Sequence, residues 1–257
     1  MDRKLMRLRG YKIVKANELI QKSRFNLQLQ EQKIILYLIS KIKPEDIELK
    51  EQLFEIQDFC EICGLDSSNG ANYIYIKKTL KDLRDKSIWI TLDDGSETVL
   101  SWLDTVILNQ NSGTVKIKIS EMMKPYLLFL QERYTQYELL YTLTMKSQYS
   151  LRLYELLKSY EFQRARIFDI DELKLRLSAE SYERFPDFKR YVLNKAITEI
   201  NTLSDIDITY RIIKESRRYA KIEFTIKIKK DVQKRIKTWS NIDKIIGVKK
   251  GDKIKKS

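Results

Sequence analysis

Apolar positions along this chain follow two periods, and the two alternate in the same order twice. Ile34, Ile35, Leu38, Ile39 and Ile42 fall at i, i+1, i+4, i+5 and i+8. That is the spacing of an amphipathic helix with a wide apolar stripe, over residues 31–43, and Pro44 ends it. Residues 147–160 (SQYSLRLYELLKSY) repeat this helix and set Tyr154 against Tyr37. A short element at 54–60 (FEIQDFC) recurs at 168–174 (FDIDELK), the first copy holding a short helix over Asp58–Ile62 that Gly64 stops. A longer helix over Ile74–Lys86, with Ile76, Leu80 and Leu83 on one side, recurs as Phe188–Thr202. There Leu193, Ala196, Ile197, Ile200 and Leu203 form the stripe. Period-two runs close each copy, TVKIKI at 114–119 and IEFTIKIK at 222–229.

Turn chemistry fills in the rest. In the first copy, Ile88–Leu92, Thr98–Leu108 and Thr114–Ile119 are separated by DDGS and NQNSG, hairpin signals that predict a three-stranded wing region. In the second, Ile206–Ile213 and Tyr219–Ile228 are joined by Lys214–Arg218 (KESRR). Glu121–Gln131 reads as helical, with Pro125 in its first turn, where proline is tolerated.

The order helix, short helix, long helix, strand, turn, strand is that of a winged helix. The pattern therefore predicts an α+β chain of two tandem winged-helix domains, each a helix-turn-helix plus a β-hairpin wing, related by internal duplication. The expected divisions are a basic N-terminal arm with a short strand over 1–24, a first domain over 25–131 and a packed linker over 132–145. A second domain over 146–230 and a basic, frayed, solvated tail over 231–257 complete them.

Charge makes the two copies unequal. The net charge is +13 with a pI near 9.4, which points to a polyanionic partner. Residues 1–24 carry net +6, 25–120 net −4, 121–230 net +5 and 231–257 net +6. Only the second copy is basic as a whole.

Candidate chemistry narrows further. The chain has no His, which removes Ser-His-Asp and Cys-His nucleophilic systems and the His-hydrophobe-His metal site of tyrosine-based nicking initiators. Its 15 Tyr residues read as packing and surface aromatics. Cys60 and Cys63 form a CxxC on a helix without a second ligand pair, so they read as packed thiols rather than a zinc site. No GxxxxGK[ST] occurs, and no run of 18 apolar residues spans a membrane. The expectation is a cytoplasmic protein that is not an enzyme and takes no metal, cofactor or small-molecule substrate.

A winged helix lays its third helix in the major groove and touches the adjacent backbone or minor groove with its wing. That places Lys189, Arg190 and Asn194 for base edges or phosphates, Arg suiting guanine and Asn adenine. Lys195 and Thr198, further along, suit phosphates, and Arg217, Arg218 and Lys221 sit at the wing tip. In the first copy Lys77, Lys78 and Lys81 make a basic face within an acidic unit. They serve a second groove contact, or else the unit mainly binds protein through its hairpin edge. A solvated face is the bland alternative for all of these cations.

The segment KANELIQKSRFNLQLQEQKIILYLISKI (residues 15–42) resembles the opening of the RepB, or Rep_3, family of theta-type plasmid replication initiators. Residues 188–227, with A-I-x-E-I-N at Ala196–Asn201 and the IEFTIK strand, resemble that family again. The resemblance covers residues 11–230. It implies a sequence-specific initiator that binds double-stranded origin DNA at direct repeats (iterons) as a monomer. It also implies autorepression by dimers formed through the first domain, base reading by Lys189, Arg190 and Asn194, and recruitment of a host initiator and helicase. A two-winged-helix transcriptional regulator without a replication role is the alternative.

Overall fold

The computed structural model describes residues 10–63, 65, 70–108 and 113–247. The expected arm as far as residue 9, Gly64, most of the 66–72 and 109–113 turns and the end of the tail from 248 lie outside them. Strand β1 (Lys12–Ala16) turns Ile13 and Lys15 inward and runs into α1 (Asn17–Gln21) and the short β2 (Ser23–Arg24). Helix α2 (Leu29–Ile39) starts at a capping box, in which the Gln28 N–H donates to the Glu31 carboxylate at 2.7 Å. β3 (Gln52–Glu55) leads directly into α3 (Ile56–Ile62), and α4 (Gly70–Arg84) buries Ile76, Leu80 and Leu83.

Four strands follow: β4 (Ser87–Thr91), β5 (Glu97–Ser101), β6 (Leu103–Leu108) and β7 (Thr114–Ile119). Gly95, at φ +85°, makes the tight β4–β5 turn, a left-handed position that glycine occupies without strain. The single-turn α5 (Lys124–Leu127), β8 (Tyr134–Glu138) and α6 (Leu139–Leu143) join the copies. The second copy holds α7 (Gln148–Lys158), β9 (Ala165–Asp169), α8 (Ile170–Leu177) and α9 (Phe185–Phe188). A π-helical turn over Lys189–Leu193 leads into α10 (Asn194–Leu203), then β10 (Ile206–Glu215), β11 (Arg218–Ile228) and α11 (Val232–Ile245).

The duplication appears in strand order. β3–β7–β6 and β9–β11–β10 are antiparallel sheets in which the strand after the first helix pairs with the last strand of the hairpin. Each copy is thus a helix-turn-helix with a winged sheet, the predicted fold. The copies align differently from the tyrosine pairing, however. α2 and α7 are both 11 residues long and end on Ser40 and Ser159, whose hydroxyls each donate to the carbonyl three residues back at 2.7 Å. That register sets Tyr37 against Leu156. Tyr37 stacks edge-on against Phe54, and in the second copy Tyr160 fills this role against Phe168.

Other differences are local. The three strands expected as one wing belong to two sheets, split at Trp102, because β4 and β5 pair with β2 while β6 and β7 pair with β3. The helix expected over Glu121–Gln131 stops after α5, and Phe129 then adopts φ +57°. The short strand expected after the basic arm is present, β1 pairing along its whole length with β8 of the join. The tail is not frayed from residue 231 onward. α11 buries Thr238 and Ile242 and sets Trp239 against Tyr141 at 5.4 Å between ring centroids.

α2 shows why an apolar stripe underestimated its burial. Every residue from Glu31 to Ile39 is buried, because α2 is covered by its own copy on one side and by the second copy on the other. α7 is buried from Ser150 to Lys158 in the same way. Charges therefore enter the core, and those around Glu155 and Arg152 find partners there. The Glu155 carboxylate accepts from the Lys15 ammonium and the Tyr137 hydroxyl, all three groups being buried. One turn away on α7, Arg152 donates to the Ser23 carbonyl at 2.8 Å and hydroxyl at 3.0 Å, and lies over the Phe25 ring. Burial lowers the Lys15 pKa and Glu155 opposes that shift.

Glu155→Ala removes the anion that compensates Lys15 and leaves a cation stranded in the core. Denaturant unfolding should show a loss of roughly 3–5 kcal/mol. A loss below about 1 kcal/mol would mean that the network contributes little to joining the copies.

Candidate nucleic-acid interface

The third helix of the second copy is built in two pieces. Pro186 occupies the first turn of α9, where its missing N–H costs nothing, and Phe185 and Phe188 anchor that turn in the core. In the π-helical turn the Asn194 N–H donates to the Lys189 carbonyl, five residues back. Val192, Leu193, Ala196, Ile200 and Leu203 are buried, leaving Arg190, Tyr191, Asn194, Lys195, Thr198 and Thr202 exposed. The expected residues on this helix thus share one outward face, except that Lys189 is half-buried at its edge.

Tyr191 is the residue that sequence reasoning left out. It lies mid-face, 40% exposed, with the Arg190 guanidinium 5.3 Å and the Lys195 ammonium 5.6 Å from its ring centroid. Tyr182 stacks on it at 6.2 Å, and Tyr149 meets Tyr182 edge-on at 6.0 Å. An exposed aromatic between two cations was the available signal. These rings wall a cleft of about 880 Å³, which also takes in Gln28 before α2 and Lys146 before α7.

The helix is held from three sides. Glu199 accepts from the Lys146 and Ser147 backbone N–H groups at 3.0–3.2 Å, fixing it to the start of α7. Asn201 exchanges two hydrogen bonds with the backbone of Ile208, at 2.9 and 2.6 Å. The buried Lys229 ammonium donates to the Asn201 and Ser204 carbonyls at 2.6 and 2.8 Å, closing the helix C-terminus with a cation. Thr198, expected to meet phosphate, spends its hydroxyl proton on the Asn194 carbonyl at 2.8 Å and keeps its oxygen lone pairs free to accept.

The second wing is a long ribbon whose tip turns at Ser216, φ +57°. Arg217 and Arg218 are exposed at that tip, and Arg218 makes only a 3.3 Å surface pair with Asp171. Lys221 is less available, lying between Asp169 at 4.0 Å and Glu215 at 3.6 Å.

In the first copy Lys78 and Lys81 are exposed on α4, while the Lys77 ammonium lies 4.5 Å from the centre of the Tyr73 ring and is half-buried. Ile74 and Tyr75 are exposed on the same helix. The acidic character of this copy is partly spent internally, since Glu31 pairs with Lys86 and Glu97 with Arg24.

Cys60 is buried on α3 and Cys63 just past its end. Burial pushes the Cys63 thiol up to about 12 and raises Cys60 as well, so neither is a ready thiolate near neutral pH. Among the described residues no cluster of Cys, Asp and Glu could hold a metal ion, and no helix is long and apolar enough to cross a membrane.

Comparison with known proteins adds to this geometry. The family model described as "Initiator Replication protein, WH1" matches residues 12–158, and that described as "Initiator Rep protein, WH2" matches residues 169–226. The first runs through β8, α6 and α7, and α11 lies beyond both. The "PI protein" of Escherichia coli is 29% identical over 154 residues, 52% of this chain and 50% of that protein. A "Replication initiation protein" of Escherichia coli is 28% identical over 208 residues, 76% of this chain and 64% of that protein. The chain thus spans half of the first relative's length and just under two thirds of the second's. The crystal structure of a Pi initiator protein in complex with iteron DNA matches 87% of this chain and 99% of its own, with a TM-score of 0.72 at 25% identity.

With both thiols buried, iodoacetamide at pH 8 should leave the native protein unlabelled and add two groups after denaturation, read by intact mass. Rapid native labelling would place a thiol at the surface.

Proposed function

The chain belongs to the family of Rep3-type plasmid replication initiators, and from that premise we propose that it binds direct repeats at a plasmid origin and starts theta replication there. The observation that carries this reading is the outward face of the second copy's third helix. It presents Arg190, Tyr191, Asn194 and Lys195 together, on a helix braced by Glu199, Asn201 and Lys229. A braced helix with cations and a hydrogen-bonding amide at its N-terminal half suits the major groove, where base edges differ in donors and acceptors. The bound iteron DNA of the Pi initiator structure supports carrying that role to this helix.

Within this reading Arg190 and Asn194 address bases, and Lys189 contacts a base edge or a phosphate at the helix start. Lys195 addresses the flanking phosphates, Thr198 does so only by turning its hydroxyl proton away from the Asn194 carbonyl, and Arg217 and Arg218 close on the backbone beyond. Lys221 supports the wing through its acidic neighbours more than it touches DNA. Lys78 and Lys81, with Lys77 at the edge, form a second groove contact. We place the boundary between the copies at the join formed by β8 and α6. The protein works without a catalytic step, in the cytoplasm, repressing its own gene as a dimer and handing the origin to a host initiator and helicase. Family membership favours this role over that of a transcriptional regulator.

Arg190→Ala should weaken binding to the cognate repeat by about 1–3 kcal/mol and leave binding to random duplex nearly unchanged, in fluorescence anisotropy at one fixed salt concentration. Equal losses on both duplexes would assign Arg190 to the backbone. Origin-less binding to one isolated palindrome, with plasmid replication unaffected by deleting the gene, would sink the initiator reading.

A further inference from the structure

The second wing does more than carry arginines to its tip, because its first strand touches the base-facing side of the helix. Asn194 and Asn201 are seven residues apart, two turns along one face of α10, and Ile208 and Tyr210 are two apart on one face of β10. The four residues form matched contacts. Asn201 bonds the Ile208 backbone, and the Tyr210 hydroxyl donates to Asn194 Oδ1 at 2.9 Å. The Tyr210 ring is set by Phe224, its cross-strand neighbour, which is fully buried 6.1 Å away. Burial raises the Tyr210 pKa, so its hydroxyl stays protonated and able to donate.

This contact decides what Asn194 can offer. Asparagine reads adenine by accepting from N6 with Oδ1 while donating to N7 with Nδ2. Here Oδ1 is turned toward the wing and already accepts a hydrogen bond, so the Nδ2 group, with its two hydrogens, leads toward solvent. Guanine presents two acceptors, N7 and O6, on the same edge.

We propose that Tyr210 is a positioning residue that sets the base preference of Asn194. By holding Oδ1 it makes Asn194 a donor that selects guanine over adenine. The inference rests on the reading of α10 as the base-contacting helix, and it adds a residue on the wing to the specificity of that helix.

The test uses the full chain and duplexes carrying each base pair in turn along a site selected from a randomised library. Asn194→Ala first identifies the position that Asn194 reads. At that position the unaltered protein should favour guanine, Tyr210→Phe should lower the guanine-to-adenine ratio about tenfold, and random-duplex binding should stay unchanged. Asn194→Asp, which has no Nδ2 hydrogens, should lose the guanine preference whether or not Tyr210 is present. A preference for adenine in the unaltered protein would overturn the proposal while leaving α10 as the reader. So would a Tyr210→Phe protein with the original ratio, or one weakened equally on every duplex. If Asn194→Ala flattens no position, the base-reading role of Asn194 fails, and the proposal falls with it.

Discussion

The structure turns on one buried carboxylate. Glu155 lies on the first helix of the second copy, Lys15 on the N-terminal strand and Tyr137 on the strand that joins the copies, and all three meet buried in the interior. A buried ion pair is a weak source of net stability, because desolvating two charges offsets most of their attraction. Its force is conditional: without Glu155 or Lys15, the opposite charge is stranded in the core. The arrangement therefore penalises every packing of the two copies except this one, and Arg152 extends the penalty to Ser23 and the backbone of Arg176. The network fixes how the third helices of the two copies are oriented, and polar complementarity sets that orientation more selectively than apolar contact alone.

The family motif A-I-x-E-I-N gains a physical meaning in this frame. Ala196 and Ile200 are buried, Glu199 holds the backbone at the start of α7, and Asn201 holds the wing strand. These residues brace the helix rather than face solvent. The side chains on the outward face, Arg190, Tyr191, Asn194 and Lys195, all lie before the bracing positions. The outward face and the bracing motif thus occupy successive stretches of one continuous helical segment.

Much of the fold was legible in the chain because period and turn chemistry act locally. The order of elements, the two third helices and the β10–β11 hairpin all follow from residues close in sequence. What was not legible depended on distant partners. The stripe on α2 marked the face toward its own copy, yet its other face is buried by a helix more than a hundred residues away. The helix α11 read as a solvated tail because Thr238, Trp239 and Ile242 are sparse among lysines, and only Tyr141 and Lys229 reveal what they cover. Among candidate residues, Arg190, Asn194, Lys195 and Arg217 stand exposed as helix period and hairpin chemistry predict. Charge counting could not see Lys221 held between two acids, nor Tyr191 as the centre of the face.

The π-helical turn over Lys189–Leu193 holds one residue more than the α turn it replaces. That extra residue rotates Lys189 and Arg190 by about 100° around the axis relative to an uninterrupted helix. Phe188 before it and Ile200 after it remain in the core on either side. Val192 and Leu193, inside the turn itself, are buried as well, so the wider turn takes up its extra residue without breaking the run of core contacts from Phe188 to Ile200.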